Sequence, residues 1–172
     1  MDIKKNKNIT QSIQDKMLKT RKKNLKRFQD FTNVPNRMER VRVHNQVVFI
    51  NDSKAENTNA TYFALQSIRK PIVWLVGGDD RHTDYWDLMS LVRRKVDTII
   101  MIGKHNDKIN FTFSPVLNEI FEAETMEKAV KLAYRLSEPG TTVLLSPAAK
   151  ADELYADYED RGQQFINAVK KI

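Results

Sequence analysis

Short apolar runs, each closed by a polar or glycine-rich break, alternate along this chain with stretches whose apolar positions recur at helical spacing. Residues 47–50, 72–76, 98–102 and 142–145 read as strands, with a weaker one near 119–121. They are apolar at successive positions, the pattern of strands covered on both faces of a parallel sheet. Between them, one helix is predicted to begin near Asn57 and carry Ala60, Tyr62, Phe63 and Leu65, and a second to span about 85–94. A third covers 126–136 and stops at Pro139-Gly140, and a last one runs to the C-terminus with Tyr155, Tyr158, Phe165, Ile166 and Val169 as its core face. Val41, Val43 and the 47–50 run flank His44-Asn45-Gln46, a short hairpin. No element is defined between Gly103 and about residue 119. Upstream, Ile9, Ile13, Met17, Leu18, Leu25 and Phe28 form an apolar stripe at helical spacing, and 31–36, with Pro35 and two asparagines, reads as a linker.

The pattern predicts an α/β fold: a three-layer, Rossmann-like domain with a mostly parallel sheet, preceded by an N-terminal helix and a short hairpin. The expected division is a basic helix over 1–30 and one domain over 31–172, a length that suffices for a single core.

Charge changes this picture in one place. The net charge of +7 belongs wholly to residues 1–30, where ten Lys/Arg face Asp2, Asp15 and Asp30; the other 142 residues carry nineteen of each sign. Such a segment can track phosphates or form the solvated face of a helix. No aromatic residues are interleaved among its lysines as stacking platforms, which argues against nucleic acid as a partner. The absence of cysteine removes disulfides, thiolate metal sites and a thiol nucleophile, and fits a cytoplasmic protein. No apolar run approaches the length of a membrane span, and the N-terminus lacks a signal-peptide pattern, so neither a membrane partner nor export is expected.

Candidate chemistry gathers where strands end. Asp52-Ser53-Lys54 follows the 47–50 run, Gly77-Gly78-Asp79-Asp80-Arg81-His82 the 72–76 run, and Ser146-Pro147-Ala148-Ala149-Lys150 the 142–145 run. In a parallel sheet all three loops fall on the carboxyl edge, where open α/β sheets bind ligands. Taken singly, each has a plain alternative: a helix cap at Asp52–Asn57, a tight turn at Gly77-Gly78, a solvated guanidinium at Arg81. The chain contains neither G-x-x-x-x-G-K-[ST] nor G-x-G-x-x-G. His44, His82 and His105 lack metal-ligand spacing, and no metal site is expected. Ser146 is not in a nucleophile elbow, and adjacent Asp79 and Asp80 are expected to diverge rather than act as a pair.

Four motifs in register, Phe-Ile-Asn-Asp-Ser-Lys-Ala-x-Asn (49–57), Val-Gly-Gly-Asp (76–79), Val-Leu-Leu-Ser-Pro-Ala (143–148) and Tyr-Glu-Asp-Arg-Gly-x-x-Phe (158–165), resemble the C-terminal domain of the Mur ligases, most of all those that add D-glutamate. The likeness covers about 31–172. Residues 8–12 and the helix after them resemble the end of that family's central ATPase domain, and 36–39 its inter-domain hinge. The resemblance implies an ATP- and Mg-dependent ligase of peptidoglycan synthesis. ATP phosphorylates the carboxylate of UDP-N-acetylmuramoyl-L-alanine, and the amine of an amino acid attacks the acyl phosphate. It implies nucleotide contacts for Asn8, Arg37 and Asp52, and a catalytic position near the phosphates for Lys54. It implies amino-acid contacts for the positions of Glu56, Arg81, Ala151, Asp152 and Tyr158.

The chain departs from the family at those last positions. Glu56 stands for a threonine, Arg81 for a lysine, Ala151-Asp152 for a serine-leucine pair and Tyr158 for a phenylalanine. Glu56 and Asp152 bring negative charge to a site that receives a dianionic amino acid, a costly placement. Without the ATPase and nucleotide-sugar domains, the chain by itself is expected to be inactive and to bind neither ATP nor Mg tightly. UDP-muramoyl-alanine would be engaged through those other domains. The alternative is a stand-alone, non-catalytic binding or interaction module with a drifted pocket.

Overall fold

The computed structural model describes residues 34–104 and 106–172; the predicted N-terminal helix, Asn8 and His105 lie outside them. Six strands, β1 (Glu39–His44), β2 (Val47–Asn51), β3 (Ile72–Val76), β4 (Val96–Ile102), β5 (Ile120–Ala123) and β6 (Thr142–Leu145), form one sheet in the order β1-β2-β6-β3-β4-β5. Every neighbouring pair is parallel except β1 with β2. That pair is the predicted hairpin, closed by Asn45 and Gln46 at φ 46° and 64°, left-handed values of a two-residue turn. Helices α1 (Thr58–Ser67), α2 (Met89–Lys95, entered by a short 3-10 turn over Trp86–Leu88), α3 (Asp107–Phe113), α4 (Met126–Leu136) and α5 (Tyr158–Lys170) cover the sheet.

Successive strand residues point to opposite faces, so each apolar run feeds two cores. Val73, Leu75, Ile100, Ile102, Val143 and Leu145 pack with residues of α4 and α5. Ile72, Trp74, Val76, Ile99, Met101 and Leu144 pack with α1, α2 and α3. This is why the central strands lack the alternation of a half-exposed sheet. The second core contains the element the sequence did not predict. In α3, Ile109 and Phe113 are fully buried, and Phe113 meets Trp74 and Tyr85 edge-on at ring-centroid distances of 5.5 and 6.0 Å. Phe111, between them, is 74% exposed, so the two-turn helix gives no clean apolar stripe.

Caps fix where helices begin and end. Asn57, Thr125 and Asp157 accept backbone N–H groups at the starts of α1, α4 and α5. The end of α1 is closed from outside: Lys95 Nζ donates to the carbonyls of Leu65, Gln66 and Ile68.

The glycine pair after β3 is required by close approach. Gly78 has φ 143°, and a Cβ there would sit 2.2 Å from the Lys150 carbonyl oxygen and 3.2 Å from an Arg161 nitrogen. The two loops touch because Asp79 N–H donates to that same Lys150 carbonyl at 2.9 Å. Gly78→Ala should therefore cost about 2–3 kcal/mol in urea unfolding. A loss below about 0.5 kcal/mol, within ordinary surface variation, would mean the loops part freely.

Candidate functional site

The three strand-end loops meet at the carboxyl edge and are bonded to one another. Asp52 N–H donates to the Leu145 carbonyl, Ala148 N–H to that of Ala55, and Gly77 N–H to that of Pro147. Arg161, on α5, holds the junction together. Its side chain is 1% exposed; Nε donates to Ser53 Oγ at 3.0 Å, Nη2 to the Ser53 carbonyl at 2.9 Å and Nη1 to the Ala149 carbonyl at 3.2 Å. Glu56 lies 4.0 Å away and supplies the compensating charge. Burial pulls the Arg161 pKa down from its ordinary value, and the Glu56 charge opposes that shift. One sign of Arg161 is local: it shares the helical stripe of Phe165, Ala168 and Val169, where a charge must be buried and bonded. The predicted core face of this helix needs correction. Tyr158 and Ile166 are only half-buried, Tyr155 precedes the helix, and Arg161, Gly162 and Ala168 take the inner positions.

Asp52 is buried at the same junction. Its Oδ1 accepts from Met38 N–H at 3.1 Å and its Oδ2 from Ser146 Oγ at 2.9 Å. Ser146 Oγ in turn lies 2.9 Å from Thr61 Oγ1, and the Ser146 carbonyl accepts from Trp74 Nε1 at 2.7 Å. Burial outweighs these bonds and the nearby Arg37 charge, and pushes the Asp52 carboxyl up to about 6. Both oxygens expected to face nucleotide are thus engaged inside the protein. The 36–39 segment is fastened to the same loop. Asn51 donates to Asn36 Oδ1 and Glu39 Oε2, and Lys54 N–H donates to the Asn36 carbonyl. Arg37 is exposed beside it. Asn51, Thr61 and Arg161 were not singled out as site-building residues from the sequence, and Ser146 was noted only as part of a strand-end loop, because their partners lie elsewhere along the chain.

Lys54 is half-buried, and its Nζ donates to Tyr158 Oη at 3.0 Å, 4.6 Å from the ring centroid. Tyr158 passes its own proton toward Glu159 Oε1 at 2.9 Å. Arg81 and Asp152, placed together by expectation, do share a cavity, of about 320 Å³, with Asp79, Asp80 and Glu153. Ala151, Glu56 and Tyr158 are not in its lining; Ala151 packs instead on the α4–α5 core. Arg81 is 79% exposed and clasped by Asp79 through two contacts, at 2.6 and 2.7 Å, which hold the Asp79 carboxyl well below the usual range. The adjacent aspartates, expected to diverge, differ in burial, Asp79 being partly exposed and Asp80 buried, but both contribute to the lining of this cavity. The cavity's cation is already matched by a carboxylate, and the rest of its ionisable lining is acidic.

Comparison with known proteins fits this geometry. The family model described as Mur ligase, glutamate ligase domain, matches residues 36–149. A UDP-N-acetylmuramoylalanine–D-glutamate ligase of Christiangramia forsetii is 43% identical over 162 residues, covering 94% of this chain and 36% of that protein. One of Porphyromonas gingivalis is 44% identical over 145 residues, 84% of this chain and 32% of that protein. The chain thus spans about a third of the length of these curated relatives. Among solved structures, the Thermotoga maritima MurF ligase in complex with ADP superimposes with a TM-score of 0.52 at 16% identity, over 81% of this chain and 32% of that one, a likeness of fold.

The raised Asp52 pKa has a definite sign. Between an unfolded value of about 4 and the folded value of about 6, the folded chain holds a proton that the unfolded chain has released. Stability therefore falls as pH rises through this window, by on the order of 3 kcal/mol. Asp52→Asn keeps an acceptor for Met38 N–H and removes the titration. Urea unfolding of both proteins should show the variant gaining on the parent from pH 4 to pH 7. A difference that does not change with pH would mean that Asp52 titrates as a solvated carboxylate.

Proposed function

The chain belongs to the Mur ligase family, of which it carries the C-terminal domain, and from that premise we propose that it is the amino-acid-presenting domain of an ATP-dependent ligase. The ligase joins an amino acid, D-glutamate in the relatives' names, to UDP-N-acetylmuramoyl-L-alanine in peptidoglycan synthesis. One observation carries the reading: the residues of the four family motifs converge on one bonded carboxyl-edge junction, with Lys54 and the Arg81–Asp152 cavity at its surface.

In this reading the domain positions reactants rather than supplying a nucleophile. Lys54, steadied by Tyr158, and the exposed Arg37 are the cations available to face phosphate oxygens, where positive charge stabilises phosphoryl transfer. Asp52 serves by fixing the 36–39 segment and Ser146, and a nucleotide contact from it would use the remaining acceptor capacity of a largely buried carboxyl group. Asn8, outside the described residues, is assigned to nucleotide through the resemblance alone. ATP, with Mg, would be held largely by the ATPase domain of a full-length ligase, and UDP-muramoyl-alanine by domains other than this one. Among the described residues no helix is long and apolar enough to cross a membrane.

A second reading has an observation of its own. The acidic cavity and the Asp79-clasped Arg81 suit a binding module whose pocket has left D-glutamate behind.

Two measurements test these readings. The chain contains no G-x-x-x-x-G-K-[ST] run, so by itself it should turn over no ATP, with or without UDP-muramoyl-alanine and D-glutamate. Sustained phosphate release from purified chain would overturn the assignment of roles. D-glutamate should bind more weakly than about 1 mM by calorimetry, and Asp152→Leu, which takes a carboxylate out of the cavity lining, should tighten it by about tenfold, equivalent to about 1.4 kcal/mol. Millimolar or tighter binding to the unmodified chain would show that the negative charges do not face the ligand.

A further inference from the structure

A second cavity lies at the opposite edge of the sheet. The ends of α1 and α2 lead into the starts of β3 and β4, so both helix C-termini sit at the amino edge. They are separated from the carboxyl-edge loops by the length of a five-residue strand, roughly 16 Å. Between them is an open cavity of about 630 Å³ lined by Gln66, Ser67, Ile68, Arg69, Lys70, Leu91, Arg94 and Lys95. Every ionisable group in that lining is a cation.

One of the four cations has structural work. Lys95 closes the end of α1 through three carbonyls. Arg94 uses only Nε locally, on the Ser90 carbonyl at 3.0 Å. Arg69 and Lys70 are exposed. Among the described residues, none of the four has a carboxylate at ion-pair distance. Among the described residues Arg93, Arg135 and Lys150 likewise lack a carboxylate at ion-pair distance, so what sets these four apart is that they converge on one concavity. Asp97, the acidic residue nearest in sequence, is not part of the lining. Cations at helix C-termini offset the helix dipole, and Lys95 already does so for α1. That effect does not require two arginines and a second lysine to crowd one concavity without counter-charge.

We propose that this amino-edge cavity binds a ligand bearing two or more phosphate groups, gripped by Arg69, Lys70 and Arg94. Guanidinium forks match phosphate oxygens bidentately, and the Gln66 amide adds a polar contact at the rim, while the Ser67 hydroxyl is held by the Ala64 carbonyl at 2.8 Å. The volume suits a small molecule. A protein partner is disfavoured because none of the exposed large apolar side chains, Val34, Val43, Phe63, Trp86, Phe111 and Leu136, lines this cavity to serve as an anchor. The site is separate from the amino-acid cavity and does not depend on the ligase reading.

The test is residue-resolved NMR titration of the whole chain with inorganic triphosphate, ADP and adenosine, repeated on Arg69→Glu/Arg94→Glu and on the milder Arg69→Gln/Arg94→Gln. Saturable shifts at the amides of 66–70 and 94–95 are expected with triphosphate and ADP, and none there with adenosine. Both double variants, checked for unchanged thermal unfolding, should weaken binding at least about tenfold, the loss of two charge-assisted hydrogen bonds. If Arg69→Glu/Arg94→Glu fails to fold, the glutamine pair alone decides. Equal affinity for triphosphate and ADP would identify the phosphates as the recognised group; tighter ADP would add a nucleoside contact to the same site. Shifts confined to residues 1–30 or to the carboxyl-edge loops, binding unchanged in the variants, or equal binding of adenosine would each overturn the proposal.

Discussion

A guanidinium buried where three loops cross governs the carboxyl edge of this domain. Arg161 has nearly no contact with solvent, and a bare buried charge would be untenable. It is kept by giving its nitrogens to the Ser53 hydroxyl and carbonyl and to the Ala149 carbonyl, with Glu56 nearby in charge. Those acceptors belong to the loops after β2 and β6, while the guanidinium comes from α5. None of the three can shift alone without stranding a charge, so the edge behaves as one piece. Close approach elsewhere follows from the same arrangement. Gly78 lies against Arg161 and Lys150, and a Cβ at Gly162 would sit 1.8 Å from Asn36 Oδ1.

Around that fixed point the ionisable groups divide by whether they are used up. Asp52 is buried and bonded to Met38 and Ser146, and Arg81 is clasped by Asp79. Lys54 is held, but at a partly exposed position, by a tyrosine hydroxyl. The charges able to act on a ligand are therefore fewer than the motif suggests, and those facing the 320 Å³ cavity are mainly acidic. At the amino edge the balance reverses. Helix ends converge there because each helix runs back against its strand, and the cations gathered at them have no carboxylate at ion-pair distance among the described residues.

The strands and most helices were legible because fully buried parallel strands leave unbroken apolar runs, and because Asn57 and Pro139-Gly140 mark helix ends. The meeting of the three loops was legible too, since a parallel sheet puts all strand ends on one edge. Helix α3 was not, because Phe111 points outward between Ile109 and Phe113 and blurs the stripe over only seven residues. The bonds of Asn51, Ser146 and Arg161 were not, because their partners lie elsewhere along the chain; in sequence Ser146 shows only its place in a strand-end loop and Arg161 only its place on the apolar stripe of α5. The 36–39 segment, which resembles an inter-domain hinge, is bonded on this side to the 51–54 loop through Asn51, Asp52 and Lys54, contacts no local pattern announces.

By itself, the sequence determined the layer order, the hairpin, the family and the charge asymmetry of residues 1–30, since each depends on local pattern or on motifs in register. Tertiary structure alone decided which charges remain available. Ion pairing and burial act over a few ångströms in space and follow no spacing along the chain. Arg81 beside Asp79, Asp52 under Ser146, and the uncompensated cations between α1 and α2 acquire their meaning only when the folded chain sets their neighbours.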